Sequence, residues 1–396
     1  MDSSERSGTV AAVGYGVANL LLDSAFLLSL PTLLLLLCAF TLLYGDCLPL
    51  VRVWKHGIHL LRVAYTFRIV HRRRQNLRFA TANSSAGARS CSAGAADIAF
   101  VDFTPQRLSP TPRRRPLRVV SWNIEFGYAL DAVAAELERL DADVICLQEV
   151  DRFDDRRRGG AQKDVFTILA RRLQLRGVWA GHHSYHCGAW GCAVLSRYAL
   201  HDARFVPLEA IRGYPRGALS VVIATPLGEV VVHSLHTEVC CGIGTRIEQF
   251  EAAVRPTGDA ARDALPLIVA GDFNTIGGQL ASRLFPMHCT DSWRWRLCAF
   301  PCLRMSEAEL WQRLLFHSGC RYSHLSDPFD KRSDTTLRAF SAAPLSLLNS
   351  AFDAKLDWML LSAELAAQSH RVVRSAAVDA ASDHRPLLCE VVLTHC

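Results

Sequence analysis

Residues 267–274 read Leu-Ile-Val-Ala-Gly-Asp-Phe-Asn. Leu267–Ala270 is an apolar run of strand length, and Gly271, Asp272 and Asn274 end it on polar groups, at the strand terminus where open sheets place their ligand clefts. The same pattern recurs along the chain. A strand over Arg118–Trp122 runs into Asn123, and one over Val144–Leu147 runs into Gln148 and Glu149. One over Val230–Leu235 runs into His236, Thr237 and Glu238. Asp357 opens a run over Leu356–Leu361, and Ser382-Asp383-His384 precedes another over Leu387–Leu393. Further runs lie at Gly191–Ser196 and Leu219–Ala224, while Leu130, Val133, Leu137 and Leu140 mark one face of a helix. Short apolar strands alternating with amphipathic helices specify an α/β domain, here from Leu117 to the C-terminus.

Taken singly, a carboxylate after a strand reads as a helix cap or a solvated loop residue. Six such motifs in order, each carrying Asn, Asp, Glu or His beside an apolar run, are poorly explained as caps. Their chemistry is coherent. Magnesium, or manganese in its place, takes oxygen ligands from carboxylates and amides and leaves positions for water and phosphate, and Asn123, Glu149 and Asp383 supply that shell. Phosphoester hydrolysis also needs an oriented water and groups that balance charge on the phosphate, which Asp272, Asn274, His236 and His384 supply. The scattered cysteines lack the spacing of a zinc site.

The ordered set Trp122-Asn123, Gln148-Glu149, the strand ending in His236, Gly271-Asp272-Phe273-Asn274, Asp357 and Ser382-Asp383-His384 resembles the endonuclease/exonuclease/phosphatase superfamily of DNase I-like enzymes. The resemblance implies a four-layer αββα sandwich of two packed mixed sheets with the active site at one edge. It also implies roles: Asn123, Glu149 and Asp383 at the metal, Asp272 on the attacking water, and Asn274 and His236 on the scissile phosphate. His384, positioned and charged by Asp357, would stabilise the pentacovalent state. Arg216-Gly217-Ala218, and Gly242-Ile243-Gly244 followed by Arg246 and Gln249, resemble family members too. The strings SWNIEFGY, LQEVD and HTEVCCGIGTRIEQF are most similar to a plant-type, membrane-anchored branch. The chain departs from the family at Cys192, where many relatives carry Asn.

Several residues stay outside the expected site. His182, His183, His186 and Cys187 read as loop residues before Gly191, and Arg156, Arg157 and Arg158 belong to a mixed-charge loop. Trp293, Trp295, Phe300 and Trp311 fall in an insertion over 275–355 that reads as a lid or as core.

Charge narrows the substrate. Of 44 Lys and Arg against 38 Asp and Glu, 14 against 6 precede Leu117, leaving 30 against 32 in the catalytic part. A generic nuclease needs a cationic track, so a lipid or small phosphoester is favoured over nucleic acid. A nuclease and a catalytically inactive binding module of the same fold are the alternatives. The domain is expected to be monomeric, and its cysteines, 14 in the chain, mostly reduced and buried.

Residues 1–23 form a short tail. Ser24–Tyr44 then runs 21 residues without a charge, enough at about 1.5 Å per residue to cross roughly 30 Å of hydrocarbon. This is a membrane-anchor candidate, and the run is too long for a cleaved signal peptide. The 45–116 segment is basic and spacer-like: eight Lys and Arg lie between Arg52 and Arg78 with no acid. Val51, Trp54, Ile58, Leu61, Tyr65 and Ile69 recur at helical spacing, which suggests an interfacial helix on an anionic leaflet. The positive-inside bias places the catalytic domain in the cytosol. In that topology the Asn83 sequon stays bare and protease added from the cytosolic side of sealed membranes digests the domain; glycosylated Asn83 or a protected domain reverses the assignment. A chain beginning at Leu117 is expected to be soluble and active.

Overall fold

In the computed structural model, residues 98–105, 115–154, 163–185, 188–208, 215–238, 243–275, 306–338 and 354–394 are described. The 24–44 run, the basic stretch 52–78, Asn83, Arg156–Arg158, His186, Cys187, Trp293, Trp295 and Phe300 lie outside them. Among the described residues no helix is long and apolar enough to cross a membrane.

Among the described residues, fourteen strands fall into two sheets. The first contains β1 (Ile98–Asp102), β2 (Leu117–Asn123), β3 (Val144–Asp154), β4 (Lys163–Asp164), β5 (Arg176–Tyr185), β6 (Gly188–Ser196), β13 (Leu365–Val372) and β14 (Leu387–Leu393). Its order is β1-β5-β6-β3-β2-β14-β13, with β4 on β3. The second holds β7 (Leu200–Leu208), β8 (Arg216–Thr225), β9 (Gly228–His236), β10 (Leu267–Asp272), β11 (Leu325–Ser326) and β12 (Asp357–Ser362), in the order β11-β12-β10-β9-β8-β7. Each sheet has one parallel pair, β2 with β3 and β9 with β10, among antiparallel neighbours.

Period-two alternation divides the strands between three cores. Leu117 and Val119, Val144 and Cys146, Val230 and Val232, Ile268 and Ala270, and Met359 and Leu361 meet between the sheets. Val120, Trp122, Ile145 and Leu147 face outward under α1 (Leu130–Leu140), α2 (Val165–Arg172) and α6 (Ala376–Ala381). On the other side Leu235, Val269, Trp358 and Leu360 pack under α3 (Ile243–Ala253) and α5 (Glu307–Trp311), while α4 (Ala260–Asp263) lies between α3 and β10 in the chain. The result is two packed mixed sheets with helices on both outer faces. Asp164 caps α2 by accepting from the Thr167 N–H, and Ser306 with Glu309 forms a capping box on α5. Trp311, fully buried, belongs to the outer core of the second sheet.

Three expectations are corrected. The sheet begins before Leu117: Ile98–Asp102 pairs with β5 from Ile98↔Ala180 to Asp102↔Arg176, in a stretch that composition read as linker. The strand over Val144–Leu147 continues through Glu149 to Asp154, because a bulge between Leu147 and Val150 lets the chain pass the polar motif without leaving the sheet. His182 and His183 are strand residues of β5, and the His182 ring is buried against Trp190 at 4.5 Å.

Ala99, Val101 and Phe103 pack on the core beneath α1 and α2, and the Asp102 carboxylate accepts from Arg176 Nε at 2.9 Å. A chain starting at Leu117 is therefore expected to lose on the order of 2–4 kcal/mol relative to one starting at Ser84, through lost ladder bonds and apolar burial. It also bares the β5 edge to self-association. Urea unfolding of the two chains measures this, and coincident midpoints would show that β1 adds nothing.

Candidate active site

The face that is apolar between the sheets turns polar at one end. Continuing each alternation by one or two steps past Val119, Cys146, Val232, Ala270 and Met359 leads through Ser121 to Asn123, to Gln148, through Ser234 to His236, to Asp272 and back to Asp357. In the second sheet these residues stand level: His236 pairs with Asp272 across the parallel β9–β10 ladder, and Asp272 with Asp357 across β10–β12. In the first sheet Asn123 pairs with Gln148. Gly271 makes the close approach possible. It sits at φ +151°, and a Cβ there would meet Leu235 O at 2.0 Å.

Side-chain hydrogen bonds join the two rows. Asn123 Nδ2 donates to Asp272 Oδ2 at 3.0 Å, Gln148 Nε2 donates to Ser234 Oγ at 3.0 Å, and Ser234 Oγ donates to Leu147 O at 3.0 Å. Asp272 Oδ1 accepts the Asn274 backbone N–H at 2.8 Å, and Asn274 Nδ2 donates to Thr237 O at 2.9 Å. His236 Nε2 and His384 Nε2 lie 3.5 and 3.8 Å from Asp272 Oδ2. His384 Nδ1 lies 2.8 Å from Asp357 Oδ2. The loop before β14 is tied to β2: Ser382 Oγ donates to Asn123 O at 2.7 Å, and Trp122 Nε1 donates to His384 O at 2.8 Å.

Of the residues expected from sequence, Asn123, His236, Asp272, Asn274, Asp357 and His384 thus form one buried, connected group. Glu149 and Asp383 flank it, half-buried, one residue beyond Gln148 and one before His384. Glu149 and Asn274 hold left-handed backbones, φ +53° and +47°, which non-glycine residues adopt at a cost of about 1–3 kcal/mol and which cluster at functional sites. Glu149 takes this conformation inside the β3 bulge.

Charge is arranged unevenly. Burial alone would depress the His384 imidazole, but Asp357 and then Asp272 outweigh it and hold the ring protonated well above its usual range. Burial drives His236 the other way, well below its usual value, and the neighbouring Arg216, His182 and His384 add to that. Burial, with the charge of Asp357 and against the pull of His384, pushes the Asp272 carboxyl up to about 7. Two imidazoles on either side of one carboxylate therefore carry different charges, the usual basis for separate acid and base roles. Asp272, Asp357 and His384 each offer a ligand atom within 4.8 Å of the others, the one such grouping of acids, histidines or cysteines among the described residues. An imidazolium engaged by Asp357 is not a metal ligand, so this trio reads better as an ion-pair chain.

The motif Arg216-Gly217-Ala218 carries a family likeness in the sequence but no role, and the structure places it behind the site. Arg216 opens β8, stands with NH1 3.1 Å from His236 Nε2, and lies over the Trp190 ring at 5.0 Å. Its place one residue before Gly217, the register partner of His236, is a signal visible only once the sheet is known. Cys192 is buried, with Sγ 3.8 Å from Gly217 O, and burial pushes its thiol up to about 12, so it is packing and not a nucleophile. The four cysteines among the described residues, Cys146, Cys192, Cys320 and Cys389, are free thiols.

The model of the Endonuclease/Exonuclease/phosphatase family matches residues 120–384, and the chain belongs to that family. No curated protein matches the chain. Among solved structures it is similar to an endonuclease/exonuclease/phosphatase from Beutenbergia cavernae, at 21% identity over 71% of this chain and 72% of that one, with a TM-score of 0.49. It is also similar to the human Nocturnin catalytic domain with bound sulfate, at 19% over 75% and 97%, TM-score 0.46. A third is a mannosyl-6-phosphatase of Bacteroides thetaiotaomicron, at 16% over 70% and 99%, TM-score 0.42.

The charge of His384 is directly measurable. In metal-free protein its ring resonances should keep the protonated shifts well above pH 6.5, and Asp357→Asn should bring the titration down, since burial then acts without the nearest opposing charge. The raised folded value contributes stability that is fully present below the unfolded value near 6.5 and is lost as pH rises through the folded value. The stability gap between wild type and Asp357→Asn should therefore narrow with rising pH, and a pH-independent gap would exclude the charged pair.

Proposed function

We propose that this chain is a magnesium-dependent phosphoester hydrolase of the plant-type, membrane-anchored branch of its family, acting on a lipid or small phosphoester at the cytosolic membrane face. One observation carries the hydrolase reading. A single carboxylate, Asp272, is held by the Asn123 amide and the Asn274 backbone and faces a neutral His236 and a charged His384.

The residues that would hold magnesium fit it in chemistry: Asn123 at the end of β2, Glu149 in the β3 bulge beside it and Asp383 in the loop before β14 offer oxygen donors and no sulfur or imidazole. When bound there, the ion supplies charge relief to phosphate oxygens and to the departing oxygen. The chain's own residues supply the rest. Asp272, once ionised, accepts a proton from an attacking water, its two oxygens oriented by Asn123 and Asn274. His236, neutral and backed by the Arg216 guanidinium, presents a hydrogen-bonding ring to a non-bridging oxygen. His384 carries a proton and a positive charge toward the reacting phosphate, with Asp357 fixing its tautomer and balancing its charge. Asn274, tied to Thr237 O, orders the loop beneath.

The membrane and substrate parts rest on the sequence: the uncharged 24–44 run, its basic flank, and the near-balance of charge after Leu117. Chelation with EDTA should abolish turnover, and magnesium or manganese, but not zinc, should restore it. Glu149→Ala, Asp272→Ala and His384→Ala should each lower the rate on the order of 100-fold or more, with losses that do not multiply. Turnover that survives full chelation, or near-normal rates in a folded variant, would overturn the mechanism at that point. A screen over sphingomyelin, phosphoinositides, an aryl phosphodiester and nucleic acids assigns the substrate; cleavage of nucleic acid alone would make the chain a nuclease.

A further inference from the structure

The Asp357–His384 pair spans two separate parts of the chain, and nothing in either part alone fixes their distance. Asp357 is the first residue of β12, and His384 sits in the loop before β14. A short segment, Thr336 to Arg338, lies between them. Leu337 forms isolated bridges to Ala354 on one side and to His384 on the other. Thr336 N and Leu337 N both donate to Ala354 O, at 2.9 and 3.0 Å. On the opposite side Arg385 N donates to Thr336 O at 2.8 Å and Arg338 N donates to Asp383 O at 3.0 Å.

The Thr336 side chain completes the tie. It is fully buried, and its hydroxyl oxygen accepts the backbone N–H groups of both Leu356 and Asp357, each at 3.1 Å. The Asp357 carbonyl is held in turn by Lys355 Nζ at 3.0 Å, an ammonium that also pairs with Asp327 at 3.2 Å. Both backbone polar groups of Asp357 are thus engaged by side chains. The residue whose hydroxyl holds the Asp357 N–H gives its own carbonyl to the residue after His384. One buried residue therefore grips the acid and the histidine loop together.

We propose that Thr336 is a positioning residue: its hydroxyl and its carbonyl hold Asp357 and His384 at the separation the pair needs to act on phosphate. The proposal rests on the hydrolase reading above. Thr336 touches neither the reacting atoms nor a ligand, and it acts through Asp357.

The test uses the full chain, magnesium and bis(4-nitrophenyl) phosphate, with Thr336→Val, Thr336→Ser, Asp357→Asn and the Val/Asn double variant. Removing the acceptor while keeping the shape should lower kcat about 10- to 100-fold with KM nearly unmoved, as small misplacements of reacting groups do. Thr336→Ser, which keeps the hydroxyl, should recover most of the rate. In the Asp357→Asn background Thr336→Val should cost no more than about twofold, because coupled residues lose their effects together. A purely structural role would instead give losses that multiply in the double variant, and that result overturns the proposal.

A spectroscopic readout separates the clamp from the hydrolase reading. The His384 Nδ1 proton, shared with Asp357, should give a downfield resonance in wild type and Thr336→Ser that is lost in Thr336→Val. Should the valine variant not fold, Thr336→Ala, whose smaller side chain leaves room for water to accept the two N–H groups, replaces it in both measurements. If wild type turns over no phosphoester but the downfield proton responds as stated, the hydrolase reading fails and the clamp stands. If wild type turns over but the proton is indifferent to Thr336, the clamp fails alone.

Discussion

The amide of Asn123 crosses between the two sheets to reach the Asp272 carboxylate at 3.0 Å, and the rest of the site depends on that crossing. It requires the sheets to face each other closely enough for side chains to interdigitate, which the apolar layer of Val119, Cys146, Val232, Ala270 and Met359 provides. It also requires both polar rows to lie at the same end of the sandwich. The parallel pairings of β2 with β3 and of β9 with β10 ensure that, because they bring strand ends, and so the residues that follow apolar runs, to one edge. Asn123 and Gln148 then stand level in one sheet, and His236, Asp272 and Asp357 in the other.

Burying so many polar groups is costly unless each is engaged, and the site is organised around that constraint. Asp272 is engaged at both oxygens by Asn123 and the Asn274 backbone, Asp357 at Oδ2 by His384 with its Oδ1 left without a hydrogen bond, and Asn274 by Thr237 O. The carboxylates Asp357 and Asp272, aligned across neighbouring strands, would repel each other strongly in a dry setting. A protonated His384 beside both relieves the repulsion and is itself stabilised by them. Burial keeps the His236 ring neutral at a comparable depth, and the charge of Arg216 adds to that effect. The left-handed backbones at Glu149 and Asn274 are held by the same packing, and such strain persists only where the surroundings fix it.

Most strands were legible because alternation and apolar runs record which face each residue meets, whatever the tertiary partners. The runs at Arg118, Val144, Gly191, Leu219, Val230, Leu267 and Leu387 all correspond to strands, and Leu130, Val133, Leu137 and Leu140 to the buried face of α1. β1 escaped because Ile98–Asp102 is a five-residue edge strand in an Ala- and Ser-rich neighbourhood, and its apolar residues are only partly covered. β5 and β7 escaped because β5 mixes arginine, glycine and histidine with apolar residues, and β7 mixes histidine, aspartate, arginine and proline with them, so neither template stands out. The length of β3 was hidden by its bulge, which no local composition announces.

The sequence by itself determined the order of the polar motifs, the strand ends that all but Gln148-Glu149 occupy and the kinds of donor they offer, since these follow from residue identity and spacing along one chain. It therefore named Asn123, His236, Asp272, Asn274, Asp357 and His384 before their contacts were known. Only the tertiary structure decided the charge each group carries and what holds it in place. His236 is neutral because it is buried, with Arg216 adding to that, and His384 is charged because Asp357 and Asp272 outweigh its burial; Gln148 and Ser234 meet across the two sheets. Thr336 bears no signature at all, being one threonine in a polar stretch. Its importance comes from touching Asp357 and Arg385 together, a property of packing across 21 and 49 residues of chain.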